Sequence, residues 1–145
     1  MLDIVLDELR NNRTIRENID SIFLFSGIQE LTLPTTSNPA LFSEYLKLKK
    51  EIHGDGERAT LLYCKYNQHI IASSNTKDIV PFCRTHSIAF ITTLDIFAIA
   101  IHKGLITEPE ADQLILKITS NNSFLCCKSI QEHLINHFDQ EKYLY

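Results

Sequence analysis

The sequence predicts an α/β fold in three layers, α/β/α, with a mostly parallel β-sheet between the helices. Two short, continuous apolar runs, His69–Ser73 and Ile88–Thr92, have the length of buried strands. Each run is followed by a segment with helical periodicity, and strands that alternate with helices form parallel sheets covered on both faces. The length of 145 residues indicates one domain over residues 1–145.

The N-terminal half is predicted to be largely helical around one short strand. A short apolar segment around Ile4–Leu9 comes first, and apolar residues at helical spacing follow it. The loop Pro34–Pro39 and the glycine break Gly54–Gly56 separate the later elements. The predicted elements are a helix over Arg13–Ser21, a strand over Gln29–Leu33, and amphipathic helices over Ala40–Ile52 and Glu57–Tyr66.

The C-terminal half contains clear signals for the start and end of helices. Asp78 can cap a helix that runs through His86, and Thr93 can cap the next one, over Leu94–Lys103. Thr107 and Glu110 form a capping-box pattern that opens a helix to about Ser120. A stop at Gly104 and a last helix over Ser129–Phe138 complete the predicted elements.

Composition restricts the possible functions. No apolar run approaches the roughly 18–20 residues that span a bilayer, and the first residues do not resemble a signal peptide, so a cytoplasmic protein without membrane contact is expected. The net charge of −4 argues against nonspecific nucleic-acid binding through bulk charge. The four cysteines, of which two are adjacent, match no zinc-site spacing and are expected to be reduced and mostly buried.

Three carboxylates stand at positions where a metal site could form. Glu8 ends the first apolar segment, Glu57 opens a helix after a glycine turn, and Asp78 follows a predicted strand. If these three converge, their oxygen atoms suit Mg²⁺ or Mn²⁺, which can polarise a phosphodiester and activate a water molecule. Each acid alone can instead complement the dipole of a helix in its first turn.

Two further sets of residues allow two interpretations. Asn75 could hold a water or orient a carboxylate with its amide, or it could serve a turn by tolerating left-handed backbone. His133 and His137 have the i, i+4 spacing of a helical metal-binding pair, but no third ligand is evident near them in the sequence.

Several segments resemble the PIN domain family, in particular a subgroup found in prokaryotic toxin–antitoxin-like proteins. In that family a Glu or Asp opens a helix ahead of a strand, and the strand ends in an Asn or Asp shortly before another Asp. The resemblance covers most of Gly54–Asn122, and Met1–Leu33 weakly. Its motifs are Val5–Leu9, Gly56–Ala59, Ile70–Ile79, Ser87–Ile96 and His102–Thr107.

The resemblance implies a metal-dependent ribonuclease that hydrolyses RNA phosphodiester bonds, with Glu8, Glu57 and Asp78 as metal-site carboxylates and Asn75 supporting them. It implies Mg²⁺ or Mn²⁺ as cofactor, RNA as substrate, and a toxin held by an antitoxin. PIN domains, however, begin with a strand that ends in an essential Asp, and if Glu8 is the second acid this strand is missing here.

Three explanations for the missing strand stay open. The chain could be a truncated or split protein completed by another chain, or Met1–Leu6 could itself be the first strand, with Asp7 as the first acid. It could also be a non-catalytic relative that pairs as a homo-oligomer. The alternative function is therefore an inactive, PIN-like interaction module, which the negative net charge also favours.

Overall fold

The structure, a computed structural model, describes residues 1–11, 13–121 and 123–138 and shows a mostly helical protein. Over these residues the chain forms eight helices and two strands of two residues each. The elements are α1 (Asp3–Arg10), α2 (Arg13–Ser26), α3 (Pro39–Leu48), α4 (Asp55–Asn67), β1 (Ile71–Ala72), α5 (Thr76–His86), β2 (Phe90–Ile91), α6 (Thr93–His102), α7 (Glu108–Ser120) and α8 (Ile130–Asn136). The predicted three-layer α/β/α fold is therefore wrong.

The sheet is too small to form a layer. The two strands are parallel neighbours, as predicted, but few hydrogen bonds join them. The Ile71 N–H donates to the Ala89 carbonyl at 3.0 Å, and the Ser73 N–H donates to the Ile91 carbonyl at 3.0 Å. Ile70, part of the apolar run that predicted a strand buried on both faces, is 62% exposed. Strands in the centre of a parallel sheet are covered by helices on both faces. In the described part of the chain the sheet has only two strands, and these two apolar runs lack that cover.

The N-terminal segment is a helix, so the alternative in which Met1–Leu6 forms a first strand is wrong. Residues Asp3–Arg10 form α1, with Leu6 fully buried. The strand predicted over Gln29–Leu33 reduces to one parallel bridge between Leu2 and Leu31. In this bridge the Asp3 N–H donates to the Leu31 carbonyl at 2.8 Å.

The helix starts and stops of the C-terminal half are largely confirmed. Thr107 caps α7 and forms a capping box with Glu110, and α7 ends at Ser120. Gly104 follows α6 with a φ of +67°, a left-handed conformation that favours glycine. The cap of α6 is Thr92, one residue before the predicted Thr93. The helix α5 begins at Thr76, so Asp78 lies in its first turn and is not its cap as predicted.

The described residues fall into two compact units. The first comprises residues 1–71 and 77–89, and the second comprises residues 72–76 together with those from 90 onward. In the first unit α1 packs against α2 and α4, and α3 also packs against α4; in the second, α6, α7 and α8 pack against one another. The expectation of one domain over residues 1–145 stays a prediction, because two compact units can still unfold cooperatively.

The second unit has a small apolar core of its own. Its buried members lie on the three helices and in the segment before α8, and they are Leu94, Ala98, Ala111, Ile115, Cys127 and Ile130. Partly buried side chains such as Phe97 and Leu134 pack against this core. Across the described part of the chain, no helix has both the length and the apolar character needed to cross a membrane.

In the first unit, contacts of the Arg58 side chain hold the start of α4 in place. The buried guanidinium of Arg58 donates through Nη1 to the carbonyls of Ile52, at 2.7 Å, and His53, at 2.8 Å. It also forms an ion pair with Asp55 and lies 5.0 Å from the centre of the Tyr45 ring. These contacts fix the turn that precedes the helix, which is where the sequence predicted a break.

Candidate metal centre

The sequence-predicted carboxylates lie in the first unit, each near the start or end of a helix. Glu8 is on α1, Glu57 is half-buried in the first turn of α4, and Asp78 is half-buried in the first turn of α5. Asp78 also lines a cleft of this unit together with Glu44, Glu51 and other residues. Asn75 belongs to the second unit, where its backbone N–H donates to the Ser73 hydroxyl at 3.2 Å.

Glu8, Glu57 and Asp78 do not form a metal-binding set in this structure. Among residues 1–11, 13–121 and 123–138, one set of three or more His, Cys, Asp or Glu side chains has ligand atoms that all lie within 4.8 Å of one another. That set contains none of the three acids. Their catalytic roles and the expected Mg²⁺ or Mn²⁺ therefore stay predictions.

The set that the structure does bring together consists of Cys126, Cys127 and His133, all in the second unit. The two cysteines lie in the segment between α7 and α8, and His133 lies on α8. Cys127 and His133 are 2% and 3% exposed, whereas Cys126 is exposed. All four cysteines of the protein are free, and three of them are buried as expected.

Two local contacts place His133 close to the cysteines. The Ser129 hydroxyl accepts a hydrogen bond from the Glu132 N–H at 3.2 Å, which caps α8 just after the cysteines. The Asp112 carboxylate on α7 accepts a hydrogen bond from the Ile130 N–H at 2.7 Å, and the Ile130 side chain is fully buried. The first turn of α8 is thus fixed by its cap, by α7 and by the core.

His133 is held by a buried carboxylate. Its Nε2 lies 2.9 Å from Oδ1 of Asp95, which is 5% exposed. The other oxygen of Asp95, Oδ2, accepts hydrogen bonds from the Thr92 N–H at 2.7 Å and the Thr92 hydroxyl at 2.8 Å. Asp95 therefore completes the capping box of α6 with one oxygen and orients the imidazole with the other.

This contact determines which nitrogen of His133 is left for a ligand. A carboxylate oxygen accepts hydrogen bonds, so the neutral ring carries its proton on Nε2 and a lone pair on Nδ1. Nδ1 is buried and has no hydrogen-bond partner among the described residues. A metal-bound histidine commonly has this arrangement, with the second ring nitrogen donating to a carboxylate.

The sulfur atoms have a spacing that fits a shared ion. Sγ of Cys126 and Sγ of Cys127 lie 3.8 Å apart. A tetrahedral ion with Zn–S bonds of about 2.3 Å holds two sulfur ligands about 3.8 Å apart. The geometry of the two thiols therefore needs little change to accept such an ion.

The raised pKa of Cys127 argues against it as the thiol that first attacks an electrophile from solution. Burial, the hydrogen bond with Cys126 and the charges of Cys126 and Glu132 raise the pKa of the Cys127 thiol to about 12. Reactive cysteines have a lowered pKa, because the thiolate is the attacking species. A bound metal ion removes this obstacle, since it displaces the thiol proton and takes its place.

The sequence contained only part of the signal for this site. The paired cysteines lack the spacing of common zinc motifs, and His133 was considered together with His137, which is not in the set. The distance of six residues from Cys127 to His133, with the helix cap Ser129 between them, is the local signal that was missed. Asp95 lies 38 residues from His133 and could not be paired with it without the fold.

No family model, no curated protein and no solved structure matches this chain. The resemblance to PIN domains thus rests on the short sequence motifs alone.

Proposed function

We propose that the protein binds a transition-metal ion of the zinc(II) or copper(I) class through Cys126, Cys127 and His133. The main support is a combination of two observations: a ring nitrogen of His133 lies within 4.8 Å of both thiols, and the buried Nδ1 of this ring, which Asp95 already orients, has no partner among the described residues. A buried polar atom without a partner costs about 1–3 kcal/mol, and a metal ion at this position would remove that cost.

The ligand types select the class of ion. Thiolate sulfur and imidazole nitrogen suit zinc(II) and copper(I), whereas Mg²⁺ and Mn²⁺ prefer carboxylate, carbonyl and water oxygens. The two thiolates would together neutralise a divalent ion. The buried Asp95 would add negative charge behind His133 and keep its ring in a fixed orientation as a ligand.

Three protein ligands leave room for a fourth. A tetrahedral ion bound by Cys126, Cys127 and His133 has one position for water or another small ligand, as in zinc sites that do chemistry. The exposure of Cys126 supplies a route by which an ion can enter and leave. The site therefore fits a protein that binds and exchanges an ion better than one that buries it permanently.

A titration of the reduced, full-length protein with Co²⁺ tests this proposal. Thiolate coordination gives intense sulfur-to-cobalt absorption in the near ultraviolet, and we expect it to saturate at one ion per chain and to disappear on addition of Zn²⁺. Cys127→Ala and His133→Gln should weaken binding by at least tenfold. Cys83→Ala, another buried thiol, and His137→Gln, the neighbouring histidine, are matched controls that should bind normally.

Two results would contradict the proposal. One is the absence of cobalt absorption at micromolar protein and ion concentrations. The other is equal binding by wild type, Cys127→Ala and His133→Gln, which would place the ion elsewhere.

The ribonuclease prediction requires a different site and has its own test. Cleavage of RNA with added Mn²⁺ is compared between wild type, Glu57→Gln and Asp78→Asn. Equal cleavage by all three proteins would remove these roles. RNA, an antitoxin, a complementing chain and a homo-oligomer stay predicted partners until such assays are made.

A further inference from the structure

We propose that Cys126 and Cys127 also form a reversible redox pair, in which a peroxide joins the two sulfur atoms as a disulfide and so withdraws both from the metal ion. The release of the ion rests on the proposed metal-binding function. The thiol chemistry does not, since it requires only the two cysteines and the oxidant.

The geometry favours reaction between these two sulfur atoms. They lie 3.8 Å apart, and both cysteines are in the non-helical segment between α7 and α8. The backbone there can adjust without breaking the hydrogen bonds of a helix. Sγ atoms already in contact need to move less than 2 Å to reach a disulfide bond of about 2.0 Å.

The two thiols differ in a way that assigns the order of reaction. Cys126 is exposed, so a peroxide in solution can reach it, whereas Cys127 is 2% exposed. Cys126 is therefore the thiol that is oxidised first, and Cys127 is the one that resolves the product.

The reaction balances with hydrogen peroxide as the only oxidant. The Cys126 thiolate attacks one peroxide oxygen, the O–O bond breaks, and hydroxide leaves, which gives a sulfenic acid on Cys126. The Cys127 sulfur then attacks the Cys126 sulfur, the S–S bond forms, and the S–O bond breaks. The oxygen leaves as water with the thiol proton, so two thiols and one peroxide give one disulfide and two waters.

The product would be easy to reduce. Adjacent Cα atoms are about 3.8 Å apart across a trans peptide, whereas disulfides usually join Cα atoms roughly 4.4–6.8 Å apart. A disulfide between neighbours is therefore strained, and strained disulfides have the more oxidising potentials of regulatory bonds. Such a bond suits a switch that cellular thiols can reverse.

The consequence for the metal ion is direct. Sulfur in a disulfide is a poor ligand compared with a thiolate. Oxidation would leave His133 as the one remaining ligand of the set, which is too few to hold zinc(II). Peroxide should thus release the ion in step with disulfide formation.

The test uses reduced full-length protein, treated with one equivalent of hydrogen peroxide both without metal and loaded with Zn²⁺. Peptide mass mapping should show a bond between Cys126 and Cys127, with the loss of two hydrogen atoms, that dithiothreitol reverses. In the loaded protein, a chromophoric zinc indicator should report one ion released per disulfide formed. Cys64 and Cys83, both buried in the first unit, serve as internal control thiols that should react much more slowly.

Two substitutions at one position separate the steps. In both Cys127→Ala and Cys127→Ser the reaction should stop at the sulfenic acid, which dimedone traps on Cys126. The wild type should give at least tenfold less of this adduct. The alanine variant keeps the buried position apolar, so a folding defect in the serine variant does not spoil the comparison.

The inference fails if wild type gives as much dimedone adduct as the Cys127 variants, or if the disulfide joins other cysteines or two chains. It fails separately from the metal proposal. A protein that forms the bond between Cys126 and Cys127 but never binds Zn²⁺ retains the redox pair and loses the metal site. A protein that binds Zn²⁺ but forms no such bond retains the site and loses the redox pair.

Discussion

The carboxylate of Glu8 on α1 accepts a hydrogen bond of 2.9 Å from the backbone N–H of Gly56 on α4. The first N–H groups of a helix have no partner within that helix, and the N-cap of α4, Gly54, has no side chain to supply one. Glu8 thus caps α4 from a neighbouring helix. This contact explains an acid at position 8 without a metal ion.

Loss of this cap should destabilise the first unit. We expect Glu8→Ala to lower the free energy of unfolding by about 0.5–2 kcal/mol, the usual cost of losing an N-cap. Urea denaturation followed by circular dichroism measures the effect. Asp7→Ala, which removes an exposed acid at the preceding position of the same helix, is the control and should change stability by less than about 0.5 kcal/mol. Equal losses in both variants would show that Glu8 contributes only charge.

Gly56 should not tolerate even a methyl group. A Cβ there would lie 2.7 Å from Oε2 of Glu8 and 2.9 Å from Cγ2 of Val5. The Glu8 side chain can move aside, but the branched Val5 side chain is stiff, so α1 itself would have to shift. We expect Gly56→Ala to destabilise the protein by about 1–3 kcal/mol, although alanine favours helices more than glycine does.

The matched control for this substitution is Gly54→Ala, two residues earlier. A Cβ at Gly54 would meet Cβ of Glu57 at 3.5 Å, an ordinary contact. Thermal unfolding of both variants should therefore show a clearly lower Tm for Gly56→Ala alone. A stabilised Gly56→Ala protein would mean that α1 and α4 are further apart than described.

Asp95 should affect metal binding and helix stability together, whereas Thr92 should affect stability alone. Removing a carboxylate that orients a histidine ligand typically costs about 10–100-fold in metal affinity, and we expect this loss in Asp95→Ala. Thr92→Ala also breaks the capping box of α6 but leaves the contact between Asp95 and His133. Competition against a chromophoric chelator measures both affinities. A similar loss in Thr92→Ala would assign the effect to the helix cap.

Glu110 should make the cap of α7 sensitive to acid. Hydrogen bonds from the backbone N–H and the hydroxyl of Thr107 lower the pKa of Glu110 below its ordinary value of 4.5. A lowered pKa in the folded state means that the stabilising contribution is complete above pH 4.5 and is lost as the pH falls through the lowered value. Stability measured from pH 6 to pH 3 should therefore fall less steeply in Glu110→Gln than in wild type. Glu108→Gln, an exposed acid in the same first turn, is the control.

The helices could be predicted from sequence because their signals are local. Thr107 and Glu110 stand three residues apart and make the same contacts in the fold that the pattern indicates. For α6 both Thr92 and Thr93 could cap, and the choice of Thr92 depends on Asp95, which reaches back to its backbone N–H. Two adjacent residues that can both cap a helix lead to an uncertainty of one residue in its predicted start.

The sheet could not be predicted correctly because a short apolar run does not reveal how many strands pair with it or how long the paired part is. The runs around Ile71 and Phe90 do pair, but each supplies only two strand residues. The segment around Leu6 also contains a short apolar run, Ile4–Leu6, and it forms a helix. Periodicity alone does not separate these outcomes over so few residues.

The candidate metal site could not be predicted from the sequence because it also depends on contacts between distant residues. Its local pair, Cys127 and His133, is close in sequence but matches no common motif, while Asp95 and Asp112 join it only through the packing of α6, α7 and α8. The predicted acids were selected because they stood at element ends. One of them, Glu8, accepts a hydrogen bond from the start of α4 in the structure.

Neither compact unit is continuous in sequence, and this has a consequence during translation. The first unit needs residues 77–89, and the second needs residues 72–76, which leave the ribosome before all the other residues of that unit. At synthesis rates of about 5–20 residues per second, residues 72–76 would wait several seconds for helices α6 to α8 to emerge. A nascent chain halted once residue 89 has emerged from the ribosome should accordingly acquire protease resistance in its first unit while residues 72–76 are still cleavable.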